Sequence, residues 1–447
     1  MNIGRRHPSR NRIIMVALVI VLAVVLAVVS LGEKKLKIAI HQSVEGVALK
    51  EIVAKFANDR NFSVEVIELP YDQLYEAELD DVTGKKDHGF DVIMLDDPWM
   101  PAMLGIETSG GDPRLLQLNV PDGSIRDFVE SALSVARDPT VPATRGNAFY
   151  ALPFVGNSQL FMHRRGDDQS YSDWNDVIRG GYIMRVGAGN QIVTDFVPMV
   201  WAKSAEGFRD RSVRFPDDAL AAFQLLSTLG GSGHTNLSII SQDDFDLAIQ
   251  LQKRKASSSI IWSAWAMAMA RLPEPRRAEF FDNLEFSPMP GGQTLLGVWL
   301  LAIPGNTKHA DQARDFIAFA TAKEQIIEAA RAGNPPPLRS VLTFDIDVTE
   351  TDPLSRQKQT LSLAAFKKQF EIPFAAQLKS LESARPRPRT RHWKRIESAV
   401  GDCLSRLYES AISPEAAMNG ANAAIDAISQ EMEQASPACK SSAVKPK

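Results

Sequence analysis

The sequence predicts an α/β fold carried by a largely parallel sheet, and three observations lead there. Residues 36–97 alternate in the order strand, helix, strand, helix, strand. The alternation returns over residues 184–290, after an interval of different pattern. Val92–Leu95 is apolar at every position, as expected of a parallel strand buried on both faces. A chain of 447 residues has room for about two to four domains.

The elements follow in order. Leu36–Ile40 alternates as a strand does, and Val44–Asn58 places Val44, Val47, Ala48, Ile52, Val53 and Phe56 at helical spacing. Phe62–Leu69 reads as a second strand and Tyr71–Lys85 as a helix leading to Val92–Leu95. The pattern then changes. Pro121–Ala136 reads helical, and Asn147–Pro153 and Ser158–His163 read as two extended segments around Gly156-Asn157. Ser172-Asp173 caps a short helix carrying Trp174 and Val177.

The second block gives a strand at Met184–Val186, helices at Thr194–Ser204, Pro216–Leu229 and Gln242–Lys253, a strand at Ser259–Trp262 and a helix at Ala264–Arg271. Leu295–Ile303 is a long apolar strand closed by Pro304-Gly305. Helices at His309–Thr321 and Lys323–Ala332 precede the break Gly333-Asn334-Pro335-Pro336-Pro337. From residue 353 the pattern is helical, ending in Pro414–Glu433, with a polar, flexible tail over 436–447. No repeat of 20–50 residues is present.

Composition narrows the function. An apolar share of 45%, a charged share of 23% and ordinary Gly and Pro content exclude disordered, collagenous and coiled-coil classes. Two cysteines exclude a disulfide scaffold or a Cys-rich zinc module. The net charge is −4 although Arg5, Arg6, Arg10 and Arg12 precede any acid, so the body of the chain is acidic and nucleic acid is not the expected partner. Behind those arginines, Ile13–Leu31 carries no charge and as a helix spans roughly 28 Å. This segment, within residues 1–33, reads as a signal peptide or an uncleaved membrane anchor, and the rest of the chain as exported and soluble.

Metal and nucleophile motifs are missing from the sequence. The seven histidines form no i,i+3 or i,i+4 pair, and neither H-E-x-x-H nor G-x-S-x-G occurs. A ligand held without metal or cofactor is therefore expected. Cys403 and Cys439 can pair in an oxidising compartment, but one lies in a helical pattern and the other in the tail.

Ligand-binding candidates lie where strands end. Asp96-Asp97-Pro98-Trp99 follows Val92–Leu95. A carboxylate there can accept from two hydroxyls, and Trp99 can offer a face to a sugar ring. The same residues read equally as a helix start, with Asp97 as cap and Pro98 first. Neighbouring carboxylates point apart and do not frame a glycosidic bond, so an enzyme is not expected. Gln42 follows the first strand, Asn157 in Gly156-Asn157-Ser158 is a candidate for hinge or ligand contact, and Asn190 lies in a glycine-containing turn that lacks a dinucleotide fingerprint. Trp262 and Trp265 lie where a strand becomes a helix, and Trp299 lies beside Gly297 in an apolar strand; core packing is the alternative for each. Trp174 and Trp201 are assigned to the core. Arg385–Arg395, with six Lys or Arg, reads chiefly as a solvated face, with an anionic ligand or membrane phosphates as alternatives.

The ordered set of segments resembles the family 1 extracellular solute-binding proteins of ABC transporters, the group of maltose- and trehalose-type sugar receptors. The likeness is carried by Phe90–Trp99, Tyr150–Phe154 with Leu160–His163, Ile260–Trp265, Gly297–Pro304 with the following helix, Gly333–Leu342 and Ala384–Pro388, and covers roughly residues 34–435. It implies a two-lobe periplasmic-binding-protein fold with a hinge. Residues 36–157 with 296–345 would form lobe 1 and residues 158–290 with 350–435 lobe 2. It also implies that Gly297 borders the cleft and that Arg339 occupies a position where the family commonly has arginine. The function implied is capture of a small solute, a sugar or oligosaccharide first, for an ABC importer permease. The alternatives are an anchored sensory or docking protein of the same fold and, least expected, a carbohydrate-active enzyme.

Overall fold

In a computed structural model, Val92–Leu95 forms the core of strand β3 (Val92–Asp96), which is buried at every position. The structure describes residues 35–60, 62–105, 113–137, 148–166, 171–186, 189–209, 213–231, 244–253, 256–346 and 363–435. The apolar segment 13–31, the tail 436–447, Cys439 and the turn residues Gly187 and Ala188 lie outside them. Among the described residues no helix is long and apolar enough to cross a membrane.

β3 is flanked by β1 (Lys35–His41), which pairs in parallel with it and with β2 (Ser63–Leu69). Helix Val44–Arg60 joins β1 to β2, burying Ala48, Ile52, Val53 and Phe56 of the expected stripe and Leu49 beside them, whereas Val47 is exposed. On the other side β3 pairs antiparallel with β8 (Thr294–Ala302), nine residues all buried. Apolar residues on both faces make this strand a central one, covered by helices on each side.

β4 (Ala151–Arg164) connects two layers. Its first half, to Ser158, pairs with β8. From Gln159 onward it pairs with β6 (Ser258–Trp262), and from Phe161 also with β7 (Leu284–Ser287). β5 (Tyr182–Ile183) adds to β6 in parallel, and β9 (Ala384–Arg385) adds to β8. The strand order is β2-β1-β3-β8-β4-β6-β5. The sheet thus bends where β4 exchanges β8 for β6, and helices 190–203, 220–231, 393–408 and 414–435 pack together beside the second layer.

Three readings need correction. Gly156-Asn157 does not separate two extended segments, because both residues pair with Val298 and Gly297 of β8 and the single strand β4 runs through them. Pro121–Ala136 is not one helix but two short ones, Asp122–Ile125 and Glu130–Ser134. Between them Phe128 bridges Leu338 and the Val129 amide donates to the Pro337 carbonyl at 3.0 Å, which pulls the backbone out of helical geometry. The strand expected at 184–186 lies at 182–183, and helix Arg276–Asn283 with β7 carries no periodicity strong enough to have been expected.

Candidate functional site

The carboxyl ends of β1 and β3 open on a cavity of about 480 Å³. Eight of the sequence-derived candidates line it: Gln42, Asp96, Asn157, Asn190, Trp262, Trp265, Gly297 and Trp299. His41, Ser43, Val44, Glu45, Tyr71 and Arg387 complete the wall.

On one side, β1 delivers His41 and the turn Gln42-Ser43, where the Gln42 amide donates to the Leu69 carbonyl at 2.8 Å. Helix Val44–Arg60 starts at once. Gly46 permits this, since a Cβ there would lie 1.9 Å from the His41 carbonyl oxygen. The His41 ring stacks on Trp299, with centroids 4.6 Å apart and planes at 16°. Burial lowers the His41 pKa to about 4, against an opposing pull from Asp96, so the ring is neutral at physiological pH.

Asp96 is held from two sides. Its Oδ2 accepts from the Tyr71 hydroxyl at 2.6 Å and its Oδ1 from Arg387 Nη2 at 2.7 Å. Asn190 Nδ2 donates to the Tyr71 oxygen at 3.2 Å and to Glu397 Oε1 at 2.8 Å, so a continuous chain runs from Glu397 to Asp96. Burial pushes the Tyr71 hydroxyl well above its usual range, reinforced by Asp96, and burial likewise raises Glu397.

Asn157 stands where β4 changes partners. Its Nδ2 donates to Glu45 Oε1 at 3.2 Å, while its Oδ1 accepts from the Ser263 hydroxyl at 2.7 Å and the Ala264 amide at 3.2 Å. One side chain therefore ties the first turn of helix Val44–Arg60 to the first turn of helix Ser263–Ala270. Trp262, at the end of β6, lies against Gly297: a Cβ there would stand 2.5 Å from its Cζ3. The glycine is thus a close-approach position between β8 and the indole.

Three candidates fall outside the cavity. Asp97 is fully buried behind it, where its Oδ2 accepts from the Val298 amide at 3.0 Å and from Arg387 at 3.3 Å. It is the first residue of the 3₁₀ turn Asp97–Trp99 rather than its cap, which is Asp96. Burial pushes it up to about 7, Arg387 opposing and Asp96 adding to the rise. Trp99 is 1% exposed and packs edge-on against Trp299, so it supports the wall from inside the core. Arg339 points to solvent and pairs with Glu382 at 2.6 Å. Trp174 and Trp201 are buried in the core.

The basic run 385–395 is not a solvated face throughout. Arg387 is 2% exposed and bridges Asp96 and Asp97, and Arg389 is buried with Nη2 donating to the Val135 carbonyl at 3.0 Å. Charge alone suggested solvent; the alternation of Arg with Pro386 and Pro388 was the available sign of an extended, anchored segment. Tyr71 and Glu45 carried no such sign, since each reads as an ordinary helix-start residue. Among the described residues no group of three or more His, Cys, Asp or Glu could hold a metal ion.

A bent two-layer α/β sheet with a polar and aromatic cavity at its strand ends defines a two-lobe binding protein. Residues 51–355 match the family of bacterial extracellular solute-binding proteins, and the chain belongs to that family. It is thus an extracytoplasmic protein that binds a small solute and works with an ABC importer. A curated relative from Sinorhizobium fredii is described as a probable amino-acid ABC transporter periplasmic-binding protein. It is 23% identical over 321 residues, which cover 66% of this chain and 70% of the relative. Among solved structures, maltose-bound MalE3 of T. maritima superposes with a TM-score of 0.66 at 18% identity, covering 88% of this chain and 99% of that one. A solute-binding protein of Agrobacterium vitis S4 with bound D-mannitol gives 0.67 at 19% identity, covering 90% and 99%. The GacH receptor of Streptomyces glaucescens GLA.O gives 0.67 at 13% identity, covering 89% and 98%.

Proposed function

We propose that the cavity captures a sugar or polyol and that the protein hands it to an ABC importer permease. The carrying observation is the pairing of three indoles, Trp262, Trp265 and Trp299, with the amides and carboxylates of Gln42, Asn157, Asn190, Glu45 and Asp96 in one 480 Å³ space. Indole faces cover the C–H faces of a sugar ring, while amide and carboxylate groups take its hydroxyls. Structural relatives bound to maltose and to D-mannitol support the class. An α-amino acid, suggested by the name of the curated relative, fits less well. Its carboxylate needs a cation, and Arg387, the arginine of the wall, already serves Asp96 and Asp97.

The lobes are read as residues 36–157 with 296–345 and residues 158–290 with 350–435, a boundary one residue before β4 exchanges β8 for β6. Asn190, Trp262, Trp265 and Arg387 then face the remaining wall across the cleft. No chemistry is expected, since Asp96 is committed to Arg387 and Tyr71. Residues 13–31 would serve as the signal or anchor, which N-terminal sequencing of the exported protein decides. A thermal-shift screen of sugars, polyols and amino acids tests the binding reading. A sugar or polyol at 100 times its Kd should stabilise the fold by about 2.7 kcal/mol. Stabilisation by amino acids alone would overturn it.

A further inference from the structure

We propose that the solute carries a protonated amine beside its hydroxyls, as an amino sugar or amino polyol does, and that Glu45 is the residue that selects it; this rests on the cavity being the sugar or polyol site proposed above. Glu45 lines the cavity and is more than nine-tenths buried. Its carboxyl is hydrogen-bonded by neutral groups, the Asn157 amide, Ser43 and its own backbone amide, and it makes no ion pair among the described residues. A buried carboxylate without a counter-charge is costly, and a bound cation relieves that cost.

The surrounding charges do not supply the cation. Arg387 is shared between Asp96 and Asp97, and the other nearby guanidinium, Arg389, acts on Asp97 and donates to the Val135 carbonyl. Lys394 reaches Glu397 at 3.3 Å and Asp72 at 2.6 Å, so it is committed in the same way. His41 could have balanced Glu45, but its ring lies flat on Trp299 and stays uncharged at neutral pH. Burial raises the Glu45 carboxyl, and a cation bound beside it would favour the charged form and relieve that penalty. A carboxyl without a paired cation therefore lines the cavity together with Trp262 and Trp265, and indoles also attract cations. A neutral sugar would satisfy the hydrogen bonds and leave the charge; a sugar acid would add to it.

The test is calorimetric titration of the full chain in detergent at pH 7 and low salt, with matched pairs: D-glucose and D-glucosamine, D-galactose and D-galactosamine, D-glucitol and 1-amino-1-deoxy-D-glucitol. At least one amine should bind tenfold or more tightly than its neutral parent. In Glu45→Gln that ratio should fall below about threefold, because the amide keeps the shape and hydrogen bond but not the charge. Parity within every pair, or tighter binding of the neutral member, would overturn the amine proposal and leave the sugar or polyol reading standing. This comparison needs only the parent protein, so it holds even if the variant fails to fold. An amine preference undiminished in a folded Glu45→Gln would overturn the role of Glu45. Absence of binding by all six compounds would count against both.

Discussion

Arg387 holds two carboxylates in a site with almost no solvent, and this fixes the geometry of the cavity floor. Removing one partner of such a group leaves the others charged and buried, which typically costs about 3–5 kcal/mol. Arg387→Ala should therefore lose stability of that order in urea unfolding, whereas Arg339→Ala, whose partner Glu382 lies at the surface, should lose less than about 1 kcal/mol. Equal losses would contradict the assignment of the two arginines. His41 gives a pH signature. The folded ring takes its proton only near pH 4, while the unfolded chain takes one near 6.5. Between those values the unfolded state binds more protons, so stability falls as pH drops from 6.5 toward 4, by at most about 3 kcal/mol. His41→Gln should lose less stability than the parent over that window when melting is followed from pH 7 to 4. A parent and variant with the same pH dependence would show that His41 titrates normally.

At the scale of elements, the exchange of β4 between its partners is the critical joint. Gly156 lies so close to the proline segment that a Cβ would stand 2.7 Å from Pro337 Cα and 2.8 Å from the Pro336 oxygen. Both are backbone atoms and cannot rotate away. Gly156→Ala should destabilise by about 1–3 kcal/mol, the usual cost of overpacking, and chemical denaturation reads it directly. Helix Tyr71–Thr83 meets helices 190–203 and 393–408 through Tyr71, whose hydroxyl joins Asp96 to Asn190, and through the more exposed Asp72–Lys394 pair. Tyr71→Phe should cost about 1–3 kcal/mol because buried partners are left unsatisfied. Lys394→Met leaves Glu397 without its nearest cation, so its effect cannot be read from the surface pair alone.

For the molecule as a whole, the order of strands and helices was largely legible, because residues 36–97 and 258–302 carry strong periodicity and short connections. The family likeness supplied what periodicity could not: that the two β/α blocks form two lobes. Gln42, Asp96, Trp262 and Trp265 line one cavity because the argument that named them, strand ends, concerns backbone topology; Gly297 as a cleft position came from the family likeness. Asp97 and Trp99 lie outside the cavity because the chain enters a 3₁₀ turn directly after Asp96, which buries both side chains, and sequence does not say which way such a turn faces. Arg387 was hidden for a different reason. Its carboxylate partners are 290 and 291 residues away, and a basic run gives no sign of a partner so distant.

The central claim is that solute is held between Trp262, Trp265 and Trp299, with the core indoles playing no direct part. Calorimetric titration of the full chain and its Trp299→Ala, Trp262→Ala and Trp174→Ala variants, with whichever sugar or polyol stabilises the parent, tests this most directly. Each variant is first checked for folding by circular dichroism, since deletion of a buried tryptophan can cost about 3–5 kcal/mol. Loss of an aromatic contact face worth about 1–3 kcal/mol should weaken binding roughly five- to 150-fold in the first two variants, while folded Trp174→Ala binds like the parent. Folded Trp299→Ala and Trp262→Ala proteins that both bind with parental affinity would contradict the account.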